Sequence, residues 1–112
     1  MTQSLPDVYP QPGSTPTPVV LSGSWNAVLA LAVFNWPASS EPTLAEYEVR
    51  MSLGATYDEG TSTVVGNIPP GTTTFQTAAG LATPGDVASF KVFVRLTTGN
   101  VAGSNTVTIT RP

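Results

Sequence analysis

The residues of this chain that are able to do acid–base chemistry lie between positions 46 and 59. Glu46, Glu48 and Arg50 occupy alternate positions of the segment 44–51, so in a β-strand their side chains share one face. Two carboxylates on one face could exchange a proton with a substrate. Alternating charges on a solvated strand face explain the same pattern without a pocket. We therefore predict no catalytic role for these residues.

The other candidates for chemistry are also incomplete. Asp58 and Glu59 could contact a calcium ion through their oxygen atoms, but a pair of carboxylates without further acidic neighbours is more typical of a solvated hairpin. The many serines and threonines have no histidine beside them to activate a hydroxyl, because the chain has no histidine, and it has no cysteine. The sequence predicts no enzyme, no metal site and no cofactor.

The charge of the chain argues against nucleic acid as a partner. Four Lys and Arg residues stand against seven Asp and Glu residues, which gives a net charge of −3. A protein that binds nucleic acid displaces counterions with a cluster of basic side chains, and four scattered cations do not form one. Trp25 and Tyr57 could stack on sugar rings, but packing of strand A and anchoring of a loop are the favoured explanations of these two aromatics.

Targeting and membrane signals are not evident in the sequence. Residues 1–18 contain no Lys or Arg and many prolines, unlike a secretory signal. The most apolar run, residues 28–34, is too short to span a bilayer. We expect synthesis in the cytoplasm without a signal peptide and no membrane insertion.

The residues that follow position 18 predict an all-β domain. Apolar and polar residues alternate with a period of two in several short segments, and clusters of Gly, Pro, Asn and Asp separate them. The expected strands are A at about residues 19–25, B at 28–36, C at 44–53, C′ at 61–68, E at 72–78, F at 88–97 and G at 104–110, with the turn before G at 99–103.

These segments together resemble a fibronectin type III domain. The motifs that carry the resemblance are Trp36-Pro37, Leu44-x-x-Tyr47-x-Val49, Gly80-Leu81-x-x-Pro84-Gly85, Phe90-x-Val92-x-Val94-x-Leu96 and Ser104-x-x-Val107-x-Ile109. The resemblance implies a seven-stranded antiparallel Greek-key sandwich over residues 19–112. It also implies which side chains form the core: Phe34, Trp36, Tyr47, Val49, Leu81, Phe90, Val92, Val94, Val107 and Ile109.

Residues 1–18 form a separate, Pro-rich arm in this interpretation. Five prolines fix φ and remove backbone donors, so we expect an extended, partly polyproline II conformation. Leu5, Val8 and Tyr9 are its bulky apolar residues. We predict that they anchor the arm, either on its own domain or on a neighbouring molecule.

Strand B carries a second hint of an interaction surface. Phe34 and Trp36 share one face with two alanines, while Leu29, Leu31 and Val33 fall on the other. Three aliphatic side chains on an outward face form the kind of patch that marks an interface. Cover by the arm and cover by a partner are equally compatible with the pattern, and a shift of register by one residue would remove it.

Three functions from different classes follow. The favoured hypothesis is a non-enzymatic structural protein that attaches to copies of itself or to a larger assembly. A bacteriophage virion, with this chain as a capsid decoration or tail-associated protein, is the expected example, and the arm is its tether. The alternatives are a carbohydrate- or cell-surface-binding module and an intracellular adaptor that adds a partner strand to a sheet edge.

Overall fold

The computed structural model describes residues 15–112, and these residues form short strands and one 3₁₀ turn at Glu59–Thr61. The strands are β1 (Ser22–Asn26), β2 (Leu31–Asn35), β3 (Leu44–Leu53), β4 (Thr63–Ile68), β5 (Thr74–Thr77), β6 (Val87–Leu96), β7 (Val101–Gly103) and β8 (Val107–Thr110). Within these residues no helix is long and apolar enough to cross a membrane.

Two antiparallel sheets pack face to face. The small sheet has the order β1-β2-β5, and the large sheet has the order β4-β3-β6-β7, with β8 also paired to β6. The two longest strands, β3 and β6, lie side by side at the centre of the large sheet. The predicted antiparallel sandwich is confirmed.

The last strand is interrupted, which the sequence did not indicate. Both β7 and β8 pair with β6 and together form one edge strand with a break at residues 104–106. At the break, the backbone N–H of Val92 donates to Ser104 Oγ at 3.0 Å, where a regular ladder would offer a carbonyl. The prediction of a turn at residues 101–103 was wrong, because this segment pairs with β6.

Asn105, within the break, joins the two sheets. Its side-chain amide accepts a hydrogen bond from the Leu21 N–H at 2.8 Å and donates to the Leu21 carbonyl at 3.0 Å. The amide thus replaces the peptide group that a neighbouring strand would present. β1 begins directly after this contact, at Ser22 rather than at the predicted residue 19.

The core lies between the sheets, where the period-two pattern placed it. Phe34 of the small sheet packs on Phe90 of the large sheet, with ring centroids 4.6 Å apart. Trp36 meets Tyr47 edge-on at 5.3 Å. Every side chain of the implied core is buried except Val107, which is half-buried against it.

The sandwich has two distinct ends. At one end β1 begins, β2 ends and β3 begins, and the chain enters there. The Thr17 N–H donates to Glu41 Oε2 at 2.7 Å, and Pro16 and Val19 are buried. We call this the entry end; the connections β1–β2, β3–β4 and β5–β6 lie at the other end.

Candidate interaction surface

Residues 15–112 contain neither a pocket nor a group of three acidic side chains that could hold a metal ion. The surfaces that remain as candidates are the outer faces of the two sheets and the turns at their ends.

The small sheet carries no charge. The sequence has no Asp, Glu, Lys or Arg in residues 19–40 or in residues 69–85, and these two stretches contain β1, β2 and β5. Charged groups are far more expensive to remove from water than neutral polar groups, whose cost is small when a hydrogen bond replaces the one to water. The outer face of the small sheet can therefore be covered by a partner at low cost.

Two of the predicted partner-binding residues lie at the centre of this face. Leu31 and Val33 alternate with the buried Ala32 and Phe34, so they point outward, and both are half-buried. Across the strands, Val33 stands between Ser24 of β1 and Gln76 of β5. The outer face of the small sheet thus has aliphatic side chains at its centre and neutral polar side chains around them.

Leu29, the third residue predicted on this face, lies in the β1–β2 turn because β2 begins three residues later than predicted. The Asn26 side chain accepts a hydrogen bond from the Leu29 N–H at 2.9 Å, which favours a turn. Ala30 then adopts a left-handed φ of 57°. Leu29 is 49% exposed and Val28 is 94% exposed.

The predicted arm anchors Leu5, Val8 and Tyr9 lie outside the described residues. The last part of the arm, from Thr15, runs along the entry end of the sandwich, where Thr17 bonds to Glu41. The last part of the arm is thus attached to the same domain that carries Leu31 and Val33.

The outer face of the large sheet holds the charged residues singled out in the sequence. Glu48 is only 9% exposed and forms an ion pair of 2.6 Å with Arg50, which also pairs with Glu59. Glu46 pairs with Arg95 at 2.9 Å. The interpretation of Glu46, Glu48 and Arg50 as a solvated face was wrong for Glu48, because other parts of the chain cover it.

Phe93 forms the base of this covered face. It points outward from β6 between Lys91 and Arg95, yet it is only 8% exposed. The Arg50 guanidinium lies 4.4 Å from the ring centroid. On the other side a Cβ on Gly103 would stand 2.7 Å from the ring, so only glycine fits beside it. Sequence reasoning missed Phe93, although an aromatic residue among the polar positions of strand F was a usable signal.

The segment 54–62, which we call the strap, covers the other part of the face. Ser89 Oγ donates to the Gly54 carbonyl at 2.8 Å, and Ser52 Oγ accepts from the Asp58 N–H at 3.0 Å. Both serines are buried. Asp58 caps the 3₁₀ turn by accepting from the Gly60 N–H, so the predicted hairpin carboxylates have structural roles.

Two groups where the strap meets β3, Arg50 and Tyr57, have pKa values shifted from their usual ones. Burial alone would lower the pKa of Arg50, but its hydrogen bond to Glu48 and the charges of Glu48 and Glu59 outweigh burial and raise it. Burial raises the pKa of Tyr57, and Glu59, which accepts a hydrogen bond from its hydroxyl at 2.9 Å, acts in the same direction. Glu59 of the strap thus raises the pKa of both Arg50 in β3 and Tyr57 in the strap.

The two aromatics considered for sugar stacking are occupied by intramolecular contacts. The Arg111 guanidinium lies 5.1 Å from the Trp25 ring centroid, and the same side chain bonds to the Leu81 and Ala82 carbonyls. The Lys91 ammonium lies 5.1 Å from the Tyr57 ring centroid. Their placement agrees with the packing roles expected for them.

Comparisons with known proteins bear on the fold. No family model matches the sequence, and no curated protein matches it significantly. Among solved structures, a Fn3-like protein from Clostridium thermocellum is similar over 88% of this chain and 96% of its own, with a TM-score of 0.66 and 23% identity. The fn3 domain of human contactin 1 is similar over 97% of this chain and 87% of its own, with a TM-score of 0.63 and 14% identity.

A similar fold also occurs within a larger protein. The pectate lyase PelI from Erwinia chrysanthemi, solved with tetragalacturonic acid, is similar over 82% of this chain with a TM-score of 0.68 and 22% identity. This chain spans only 28% of the length of that lyase. The order of the strands, the division into two sheets and these similarities agree: the domain has a fibronectin type III-like fold.

Proposed function

We propose that this chain is a non-enzymatic interaction protein that attaches to a larger assembly through the outer face of its small sheet. The expected assembly is a bacteriophage virion, on which the domain acts as a capsid decoration or tail-associated protein and residues 1–18 act as a tether. The observation that carries the proposal is the uncharged face centred on Leu31 and Val33.

The contrast between the two sheets supports this choice of surface. The large sheet uses the strap, Phe93 and three ion pairs to cover its outer face. Leu31 and Val33 of the small sheet remain partly exposed. A partner that covers them desolvates aliphatic carbon and neutral side chains, which is favourable at about 25 cal/mol per Å² of apolar surface.

Sedimentation of the chain in cells that encode it tests the proposal. We expect the tagged chain to sediment with a particle far larger than its own 11.6 kDa. Leu31→Asp with Val33→Asp places two carboxylates in the proposed contact and should move the chain to the low-mass fractions. Val64→Asp is the matched control, since Val64 is 48% exposed on β4 of the large sheet.

Removal of residues 1–14 tests the tether separately. The shortened chain keeps all of the core that the structure describes in residues 15–112, so we expect a folded domain that attaches more weakly. A wild-type chain found only in the low-mass fractions would contradict the proposal, and equal attachment of the shortened chain would contradict the tether.

A second candidate is a carbohydrate-associated module, which the similarity to part of a pectate lyase favours. In this reading Trp25 stacks on a sugar ring once Arg111 moves away. Specific retention of the chain on immobilised polygalacturonate, lost in Trp25→Ala and kept in Leu31→Asp, would support this candidate over attachment to an assembly.

A further inference from the structure

The turn between β1 and β2 has a sequence that is not typical of a turn. Its four residues are Ala27, Val28, Leu29 and Ala30, with no glycine, proline or aspartate among them. Turns usually contain such residues because they supply a positive or preset φ or a local side-chain bond. The sequence predicts that the strand begins at residue 28, whereas β2 begins at Leu31. The local preference of residues 28–30 and their folded conformation therefore disagree.

The conformation of this turn also has a cost. Ala30 has a left-handed φ of 57°, which its Cβ disfavours. Val28 is 94% exposed and Leu29 is 49% exposed, so two aliphatic side chains are left largely in water. The hydrogen bond from the Leu29 N–H to the Asn26 side chain favours the turn. An extended conformation of residues 27–30 would relieve the strain at Ala30.

The strand before the turn can be exchanged without breaking either sheet. β1 is an edge strand of the small sheet, and it pairs with β2 alone among the described strands. Further contacts come from Asn105, which bonds to Leu21, and from Arg111, which lies over the Trp25 ring. The β1 segment of a second copy would make all of these contacts equally well, because its residues are identical.

We propose that two copies of this chain exchange β1. Residues 27–30 of each copy extend and act as a hinge, β1 of each copy pairs with β2 of the other, and a symmetric dimer results. Short hinge loops under strain favour such an exchange. A second copy is the only partner that supplies the same strand.

The exchange goes beyond the proposed function and does not depend on it. Leu31 and Val33 keep their outward position in the exchanged dimer, because β2 still pairs with a β1 strand on one side and with β5 on the other. Attachment to an assembly and exchange of β1 can therefore fail independently.

Refolding of the full chain from urea over a range of protein concentrations tests the proposal. We expect a dimer of the 11.6 kDa chain, separated from the monomer by analytical ultracentrifugation. The dimeric fraction should rise with the protein concentration during refolding, because the exchange requires two chains.

A pair of cysteines shows whether β1 is exchanged in that dimer. Ser22 and Asn35 are exposed and face each other across β1 and β2, and the chain has no cysteine of its own. We expect the oxidised dimer of the variant with Ser22→Cys and Asn35→Cys to run as two linked chains on a denaturing, non-reducing gel. A dimer without exchange would run as single chains, because each disulfide would lie within one chain.

Two glycine substitutions in the hinge give a matched comparison. Ala30→Gly removes the strain of the folded turn, so it should raise the protein concentration at which half of the chains are dimeric by about tenfold. Ala27→Gly has no left-handed φ to relieve and should change that concentration by less than about threefold. Circular dichroism of each variant shows that it is folded.

Three results would overturn the inference. They are a chain that stays monomeric at every refolding concentration, an oxidised dimer that runs as single chains on the gel, and equal effects of Ala30→Gly and Ala27→Gly. If one of them is found while Leu31→Asp with Val33→Asp still releases the chain from its particle, the proposed function stands and the exchange of β1 falls.

Discussion

The outer faces of the two sheets differ in charge and in how far other parts of the chain cover them. The face of the large sheet is charged, and it is covered from within the chain: Glu48 is buried in its ion pair with Arg50, Phe93 is buried beneath the Arg50 guanidinium, and the strap lies over Ser52 and Ser89. The face of the small sheet has no charged residue, and Leu31 and Val33 at its centre are only partly buried. A charged face needs partners for each ion when it is covered, and the large sheet supplies them from within the chain. A neutral face needs none, which makes the small sheet the better surface for another molecule.

The largest expected effect is a difference in the stability lost when an outward side chain is truncated on each of the two sheets. Phe93→Ala should lower the free energy of unfolding by about 3 kcal/mol, because it leaves a cavity between the Arg50 guanidinium and Gly103. Val33→Ala at the equivalent outward position of the small sheet should cost about 1 kcal/mol or less, because Val33 is only partly buried. Urea unfolding measures both. Equal losses would mean that the small-sheet face is covered too, and the comparison would fail.

The ion pairs of the large sheet give the next effect. Arg50→Met leaves the Glu48 carboxylate buried without its partner and should cost about 2 kcal/mol. Adding Glu48→Gln should recover about half of that loss. Arg95→Met is the control, because that pair is more exposed, and it should cost under about 1 kcal/mol. A double variant no more stable than Arg50→Met alone would show that charge burial is not the cause.

A substitution in the β1–β2 turn should raise the stability of the domain, unlike the substitutions in the large sheet. Ala30→Gly relieves the left-handed φ of a residue with a Cβ and should raise stability by about 0.5 kcal/mol. Ala27→Gly in the same turn has no such strain to relieve and should lower stability by a similar amount. Thermal unfolding of the two variants measures the difference, and a loss in both would contradict the turn geometry.

The smallest effect concerns Tyr57 in the strap at high pH. Its pKa is raised above the usual value of 10.0, so the folded state favours the neutral phenol. The stability from this preference is complete below about pH 10 and is lost as the pH rises through the folded-state pKa. Tyr57→Phe should therefore lose less stability than the wild type above pH 10 in urea unfolding. Parallel curves for the two proteins would show that the strap does not hold the phenol in its neutral form.

Some of this molecule was predictable because it depends on local pattern. The alternation from Tyr47 to Met51 and from Phe90 to Leu96 placed the core residues of β3 and β6 correctly, since side chains of a strand alternate between two faces. The same rule put Leu31 and Val33 outward. It was wrong at Leu29, where the Asn26 side chain ends the strand pattern with a turn.

Other features depend on contacts between distant segments. The burial of Glu48 and Phe93 requires contacts from other segments: Arg50, the partner of Glu48, also pairs with Glu59 of the strap, and Gly103 of β7 leaves room beside the Phe93 ring. The break between β7 and β8 requires Asn105 to meet Leu21, 84 positions away. No local period encodes such pairs.

The alternation and composition of the sequence were enough to predict the all-β class and the implied core, and the sequence shows directly that the segments of the small sheet lack charge. The packing of the sheets brings these segments together as one face and covers the charged residues of β3. The reason is physical: the period of a strand is set by its backbone, whereas the side chains that meet in space are chosen by how the sheets and loops pack together.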